Sequence, residues 1–238
     1  MTGKSSEGMT IAERVAAVRE RMADAAAKAG RPVEEITLVA VTKTRSADEV
    51  RAVLEAGVGH IGENRVQELL EKAPYLVDMP HQTHLIGHLQ RNKAKYLPGQ
   101  IDMLQSLSST GTLAALEKAW AGRPRPLDVL VEVNIGDETS KSGIDAAEAV
   151  ALCEACDQSP AVNLRGLMAI PPFVEGEKVR PYFEQMYRLF VDIQAKKMDN
   201  NTVNVLSMGM SSDFEYAIME GATMIRVGTE LFGPRQYI

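Results

Sequence analysis

The stretch ITLVAVTKTRSADEVRAVLEAG, residues 36–57, contains the pattern of a strand, a short loop and a helix. Its first part is a short apolar run, which is typical of a strand buried on both faces of a parallel sheet. Ser46 and Glu49 then form a capping box, and apolar residues follow at helical spacing until Gly57. The stretch therefore predicts one strand-loop-helix unit.

The same unit recurs along the chain, and every predicted strand except the last is followed by a predicted helix. The predicted strands are ITLVAVTK (36–43), GHIGE (59–63), THLIG (83–87), DMLQSLS (102–108), LDVLVEVNI (127–135), NLRGLMAI (163–170), NVLSM (204–208) and TMIRVG (223–228). Alternating strands and helices indicate an α/β protein with a parallel sheet, and eight units in 238 residues suit a single (β/α)8 TIM barrel. An open doubly wound sheet is the alternative, but no G-x-G-x-x-G motif follows the first strand.

The barrel is expected to carry an extra N-terminal helix, because Thr10 and Glu13 form a capping box before apolar residues at helical spacing. Residues 1–9 are expected to be a disordered N-terminal tail, and residues 10–238 a single domain. Within this domain the segment PPFVEGE, residues 171–177, predicts one long loop between a strand and its helix.

The composition argues against several classes of protein. The chain has 26 Lys and Arg against 32 Asp and Glu, and its basic residues are scattered, so bulk binding to nucleic acid or to an anionic membrane is not expected. No segment approaches the roughly 18 consecutive apolar residues of a membrane span. The sequence therefore predicts a cytoplasmic protein without nucleic-acid or membrane partners.

Two groups of residues invite a metal or redox interpretation, and neither is favoured. Cys153 and Cys156 form a CEAC pair inside a predicted helix, with no second pair elsewhere, so we expect ordinary partly buried thiols. His81, His84 and His88 are close in sequence, but THLIG predicts a strand, on which they do not converge as i, i+4 ligands on a helix do. No metal site is expected.

Lys43 closes the apolar run of the first predicted strand, where removing a cation from water is costly. One interpretation is a strand-end lysine whose ammonium reaches solvent. The other is an amine nucleophile, because functional groups of (β/α)8 barrels gather at the carboxyl ends of the strands. The choice depends on what the other loops place around it.

The loops after the last two strands are a frequent phosphate site in this architecture. Here they contain SMGMSS, residues 207–212, and VGTELFG, residues 227–233, which offer glycines, hydroxyl groups and backbone amides to an anion. The alternative is two ordinary turns, with Ser212 and Glu215 as a capping box. Together with a lysine on the first strand, the loops suit a phosphorylated aldehyde held by a Schiff base, for which pyridoxal 5′-phosphate (PLP) is the obvious candidate.

Seven separated motifs also resemble one family in their order and spacing, from about residue 10 to residue 233. They are AVTKT, HIGENRVQE, HLIGHLQRNK, VEVNIGDETSKSGI, LRGLMAIPP, LSMGMSSDFEYAI and MIRVGTELFG. The chain is similar to the pyridoxal phosphate homeostasis protein family. The resemblance implies a PLP-binding barrel of the type III-like fold over residues 10–238, like the N-terminal domain of bacterial alanine racemase. Arg45 and Ser46 stand where the family often has a basic residue and proline, a small departure at a loop edge.

The resemblance also implies a set of cofactor-binding residues. Lys43 is the lysine of the Schiff base; Ser207, Ser211, Gly228 and Thr229 hold the phosphate; Met208 and Met210 pack around them; Arg226 faces the pyridine nitrogen; Asn64 and His88 belong to the cofactor's surroundings. For Asn64 and His88, a hydrogen bond that only orders a loop is the alternative.

The function that the resemblance implies is a PLP-binding protein that buffers the cofactor and delivers it to apo forms of PLP-dependent enzymes. We expect a monomeric carrier, not an enzyme. The alternative is a PLP-dependent amino-acid racemase, which needs a base on each face of the substrate Cα, whereas Lys43 supplies one. In alanine racemase the second is a tyrosine delivered with a C-terminal domain, which we do not expect in a chain that ends at Ile238. A barrel that binds a phosphorylated metabolite without covalent chemistry is a third interpretation.

Overall fold

The computed structural model describes residues 8–136, 142–196 and 202–234, and it contains a closed barrel of eight parallel strands in sequence order. The strands are β1 Thr37–Val41, β2 His60–Glu63, β3 Gln82–Leu85, β4 Met103–Leu107, β5 Leu127–Val133, β6 Val162–Ala169, β7 Val205–Ser207 and β8 Met224–Val227. The predicted (β/α)8 barrel and all eight predicted strands are confirmed. The predicted tail, residues 1–9, lies largely outside the described residues, as do residues 235–238 of the predicted domain.

The barrel closes where the first strand meets the last. Within β1, Val39 lies opposite His60 of β2 on one side and opposite Arg226 of β8 on the other. Side chains alternate between the two faces of a strand, so each strand sends every second residue into the barrel. Five apolar side chains from different strands pack together there, Val39, Met103, Leu130, Met168 and Met224. Arg226, two residues after Met224, therefore faces the same interior nearer the carboxyl end.

In the part of the chain that the structure describes, eight α-helices surround the strands, and the larger part of the hydrophobic core lies between the two layers. They are α1 Ile11–Lys28, α2 Ala47–Glu55, α3 Val66–Lys72, α4 Thr110–Trp120, α5 Ala146–Asp157, α6 Arg180–Ala195, α7 Phe214–Met219 and α8 Thr229–Phe232. Both predicted capping boxes are present, at the starts of α1 and α2. The extra N-terminal helix α1 contacts α2, α7 and α8. It thus fills the place in the outer ring that the four-residue α8 is too short to cover.

One predicted helix differs from the structure, and one alternative is not found. The segment after β3 forms a 3-10 helix, Arg91–Tyr96, instead of an α-helix, and Pro98 and Gly99 follow it closely. Proline has no N–H to extend a helix and glycine favours a turn, so this short connection has no room for several α-helical turns. The helix after β7 begins behind Asp213, so Ser212 and Glu215 do not form the alternative capping box.

Three findings bear on the classes considered above. In the described ranges no helix is long and apolar enough to cross a membrane. The same part of the chain contains no group of three His, Cys, Asp or Glu side chains arranged for a metal ion. Cys153 and Cys156 are buried on α5, and burial raises the pKa of the Cys153 thiol to about 12. A thiol in this environment is a packing group and not a thiolate nucleophile.

Candidate functional site

A cavity of about 340 Å³ opens at the carboxyl ends of β1, β7 and β8. Its lining residues are Val41, Lys43, Arg45, Phe173, Met210, Ser211, Ser212, Arg226, Gly228 and Thr229. Six of the ten residues predicted for the site are in this set. The volume is at the lower end of the range for small-molecule sites. The fold therefore brings the end of the first strand and the two loops after the last strands around one space.

Lys43 is held at the rim of this cavity by a tight turn. The Arg45 N–H donates to the Thr42 carbonyl at 3.0 Å, so the chain leaves the barrel directly after β1. Between them Thr44 has a φ of 62°, in the left-handed region that is costly for a β-branched residue. The Thr44 N–H donates to Glu68 at 2.8 Å, which helps to stabilise this conformation. Lys43 is half-buried as a result.

The end of β1 is also braced from the outer layer by α3. Lys72 donates to the Thr42 carbonyl at 2.8 Å and to the Glu63 carboxylate at 2.7 Å. The Thr42 hydroxyl donates to the same carboxylate oxygen at 2.7 Å. Burial raises the pKa of Glu63, while the bonds from Lys72 and Thr42 oppose that rise. The lysine of the site thus follows a strand end that three buried or half-buried polar groups fix in place.

The loops after β7 and β8 meet at Ser211. The Gly228 N–H donates to the Ser211 hydroxyl at 3.2 Å, and the Thr229 hydroxyl donates to it at 3.3 Å. Gly209 has a φ of 94°, and a Cβ added there would lie 2.6 Å from the Cβ of Ala217, so only glycine fits this turn. Hydroxyl and amide groups from two loops therefore converge at one end of the cavity.

Arg226 forms part of the floor of the cavity. Its side chain is buried, with Nη1 donating to the Ser207 hydroxyl at 2.6 Å and Nη2 to the Ala169 carbonyl at 2.9 Å. Burial lowers the pKa of the guanidinium to about 10, although Glu132 and Asp213 oppose this. Arg226 is therefore still a cation at neutral pH, held by two hydrogen bonds on different nitrogens.

The structure places four predicted site residues away from this cavity. Ser207 is fully buried in the barrel interior, where its hydroxyl contacts Arg226 and Gln105, and Met208 is fully buried in the core. Asn64 and the exposed His88 line a separate cavity of about 650 Å³ between the loops after β2 and β3. The other six predicted residues, which include Lys43, line the cavity of about 340 Å³.

Four lining residues are not among the ten predicted site residues, Val41, Arg45, Phe173 and Ser212. Arg45 lines the cavity and donates to the Gly233 carbonyl at 2.6 Å, so it ties the loop after β1 to the segment after α8. Phe173 is 87% exposed at the rim, within the loop that was predicted from PPFVEGE. An apolar side chain left in a polar loop was the only signal for Phe173 in the sequence.

Glu132 is a further buried polar group near Arg226 that was not predicted from the sequence. It follows Leu130 on β5 and therefore faces the barrel interior, where one carboxylate oxygen is buried without a hydrogen-bond partner among the described residues. Burial raises the pKa of Glu132 to about 7, and the charge of Arg226 opposes the rise. A charged residue directly after the apolar stretch Val129–Val131 of this strand was the available signal.

This raised pKa predicts a stability change in the apo-protein for Glu132→Gln. Between about pH 4.3, the ordinary glutamate value, and pH 7 the folded chain holds a proton that the unfolded chain has released. The contribution of Glu132 to the free energy of unfolding of the wild type therefore falls as pH rises through that window. We expect Glu132→Gln to match the wild type at pH 5 and to exceed it at pH 8 by about 2 kcal/mol. Urea denaturation at both pH values measures this.

Glu117→Gln, at an exposed position of α4, is the control and should shift stability equally at both pH values. A Glu132→Gln effect that is the same at pH 5 and pH 8 would contradict the raised pKa.

The fold and this site together define a class of protein. The chain matches the family described as alanine racemase, N-terminal domain, over residues 14–236. It has 40% identity over 230 residues to the pyridoxal phosphate homeostasis protein of Aquifex aeolicus, covering 96% of this chain and 100% of that protein. The chain belongs to the pyridoxal phosphate homeostasis protein family.

Two solved structures share the whole fold. A protein of unknown function from Bifidobacterium adolescentis matches with a TM-score of 0.89 and 34% identity, over 97% of this chain and 98% of that one. PipY of Synechococcus elongatus, in a structure with PLP bound, matches with a TM-score of 0.83 and 34% identity, over 94% of this chain and 100% of that one. The described barrel therefore has the same fold as PipY, whose structure contains PLP.

Proposed function

We propose that this protein binds PLP as a Schiff base on Lys43, and that it buffers the cofactor and delivers it to apo forms of PLP-dependent enzymes. The observation that carries the proposal is the lining of one cavity by Lys43, by Arg226 and by the hydroxyl and amide groups of two loops. Membership of the pyridoxal phosphate homeostasis protein family and the PLP-bound structure of PipY support it.

The charge of the cavity fits a phosphorylated ligand. Among the described residues its lining contains three cations, Lys43, Arg45 and Arg226, and no carboxylate. At the end formed by the loops after β7 and β8, Ser211, Gly228 and Thr229 bring together two hydroxyls and a backbone amide. Such groups donate to phosphate oxygens, and bonds to a charged acceptor are among the stronger hydrogen bonds in proteins. These three residues are therefore our choice for the phosphate.

The floor of the cavity, where Arg226 lies, fits a pyridine ring. The Arg226 guanidinium has only donors, so it pairs with a ring nitrogen that carries no proton. When bound, PLP supplies an aldehyde for Schiff-base formation and a ring that accepts electrons best when its nitrogen is protonated. Arg226 opposes that protonation. A cofactor in this cavity is thus held covalently by Lys43 and is only weakly activated for chemistry at a substrate carbon.

Racemisation of an amino acid is the second candidate function. It requires an acid-base group on the face of the substrate opposite Lys43. Within the described ranges the cavity lining contains no Tyr, His, Cys, Asp or Glu. This composition favours a carrier, since hydrolysis or an incoming amine is enough to release the cofactor from a lysine.

The test is to incubate the PLP-loaded protein with L-alanine and other L-amino acids in deuterated water. We expect no multiple-turnover exchange at Cα and no D-isomer, whereas an apo-enzyme added without any amino acid should gain PLP. Cofactor transfer is followed by the recovered activity of the recipient, and exchange by mass spectrometry.

Multiple-turnover exchange with inversion, lost in Lys43→Ala, would establish the racemase instead. Slow exchange without inversion is compatible with the carrier, because a single acid-base group then acts on one face only.

A further inference from the structure

A chain of polar side chains crosses the barrel interior below Arg226. Arg226 Nη1 lies 2.6 Å from Ser207 Oγ, Ser207 Oγ lies 2.8 Å from Gln105 Oε1, Gln105 Nε2 lies 2.8 Å from His84 Nδ1, and His84 Nε2 lies 3.0 Å from His60 Nδ1. This hydrogen-bond chain begins at the floor of the Lys43 cavity and reaches the half-exposed His60 at the start of β2.

The middle of this chain is isolated from water. Ser207, Gln105 and His84 are each 0% exposed. They share the barrel interior with methionine and aliphatic side chains, and Gln105 Nε2 lies 3.1 Å from the sulfur of Met224. The interiors of (β/α)8 barrels are mostly filled by branched apolar residues, and a buried polar group is costly unless it is hydrogen-bonded. These three side chains satisfy one another, so the loss of any one leaves its neighbours without partners.

The chemistry of Arg226 fixes the direction of every bond in the chain. Arginine has no acceptor, so Ser207 accepts from Arg226 and gives its own hydrogen to the Gln105 carbonyl oxygen. The Gln105 amide then donates to His84 Nδ1, which places the His84 proton on Nε2 and directs it to His60. Each hydrogen therefore points away from Arg226, and one arrangement of donors satisfies the whole set.

We propose that Gln105 and His84 are positioning residues of the PLP site, which act through Ser207 to hold Arg226 in the orientation that donates to the pyridine nitrogen. This inference rests on the proposed function. A serine hydroxyl alone rotates readily, but Gln105 gives it an acceptor, and His84 accepts from the amide nitrogen at the other end of Gln105. The second anchor of Arg226, the Ala169 carbonyl, holds only the other terminal nitrogen.

The test compares two ligands, PLP and its analogue in which the ring nitrogen is replaced by C–H. The wild-type apo-protein should bind PLP about tenfold more tightly, because the analogue leaves an Arg226 donor unpaired. In Gln105→Met, which keeps the length of the side chain and removes both polar atoms, this preference should fall to about twofold or less. Ser207→Ala should behave in the same way. Affinities are measured by absorbance and fluorescence titration.

Two further variants separate positioning from packing. Met103→Leu changes the same buried cluster and removes no partner of Gln105, so it should keep the tenfold preference that the wild type shows. Gln105→Glu, protonated in this buried position, still accepts from Ser207 and donates to His84. It should therefore restore the preference that Gln105→Met loses. If Gln105→Met does not fold, Ser207→Ala takes its place as the variant that loses the preference.

The outcomes distinguish this inference from the proposed function. If Gln105→Met weakens both ligands by the same factor, Gln105 is only structural and the inference is overturned. If the wild type binds both ligands equally, Arg226 does not donate to the ring nitrogen. That result would overturn the inference, while PLP binding would stand. A wild type that binds neither ligand would instead overturn the proposed function.

Discussion

Lys43→Ala is expected to abolish the covalent attachment of PLP completely. Lys43 is half-buried at the rim of the cavity, shortly after β1, and the loops that carry Ser211 and Gly228 line the same cavity. A Schiff base forms only with an amine, and alanine has none. The long-wavelength absorbance of the bound cofactor should vanish, and borohydride should fix no pyridoxyl group on the protein.

Some non-covalent binding of PLP should survive in Lys43→Ala, because Arg226 and the residues proposed to bind the phosphate are unchanged. Lys118→Ala, at an exposed position of α4, is the control and should retain the wild-type spectrum. The position of the adduct follows from borohydride reduction of the wild type, digestion and mass spectrometry. An adduct mainly on another lysine, for example Lys141, which lies outside the described residues, would show that the assignment is wrong.

Removing the phosphate from the ligand is expected to weaken binding by at least about 1,000-fold, measured as the affinity for pyridoxal against that for PLP. Ser211, Gly228 and Thr229 contribute three donors, and hydrogen bonds to a charged group are worth roughly 1.5 to 3 kcal/mol each. Lys43 is present in both titrations, so covalent chemistry with the aldehyde does not explain the difference.

Ser211→Ala should lose about tenfold in PLP affinity, which corresponds to a single contact. It should change the affinity for pyridoxal little. Ser212→Ala alters the next residue, which is solvent-exposed and also lines the cavity, and it should cost less than Ser211→Ala. Equal affinities of the wild type for PLP and pyridoxal would show that the two loops do not bind the phosphate.

The barrel was predictable because each strand has a short apolar sequence of its own. The run ITLVAV locates β1, and the two capping boxes locate the starts of α1 and α2, since these signals involve neighbours in sequence. The prediction of an α-helix after β3 was wrong, because the residues Arg91–Tyr96 contain good helix formers and suggested one. Their helical propensity did not reveal that Pro98 and Gly99 leave too little length for an α-helix.

The candidate site was predictable where a motif lies at the end of a strand. It was less predictable where the geometry of the closed barrel determines which cavity a side chain reaches. Lys43 and Gly228 follow β1 and β8, which are hydrogen-bonded neighbours, so they reach the same cavity. Asn64 and His88 follow β2 and β3, and their loops line another cavity instead. Ser207 belongs to β7 itself and points inward, so its motif was found but its side chain contacts Gln105 and Arg226.

The pairing of β1 with β8 has a consequence for biosynthesis. A nascent chain carries Lys43 early, whereas Arg226, Gly228 and Thr229 are added only after most of the barrel has been made. Contacts between such distant parts of a sequence form slowly, because a long loop must close first. A ligand that binds only the closed barrel adds its binding energy at that final step. The cofactor would therefore favour complete chains over those that stall on the ribosome before residue 224.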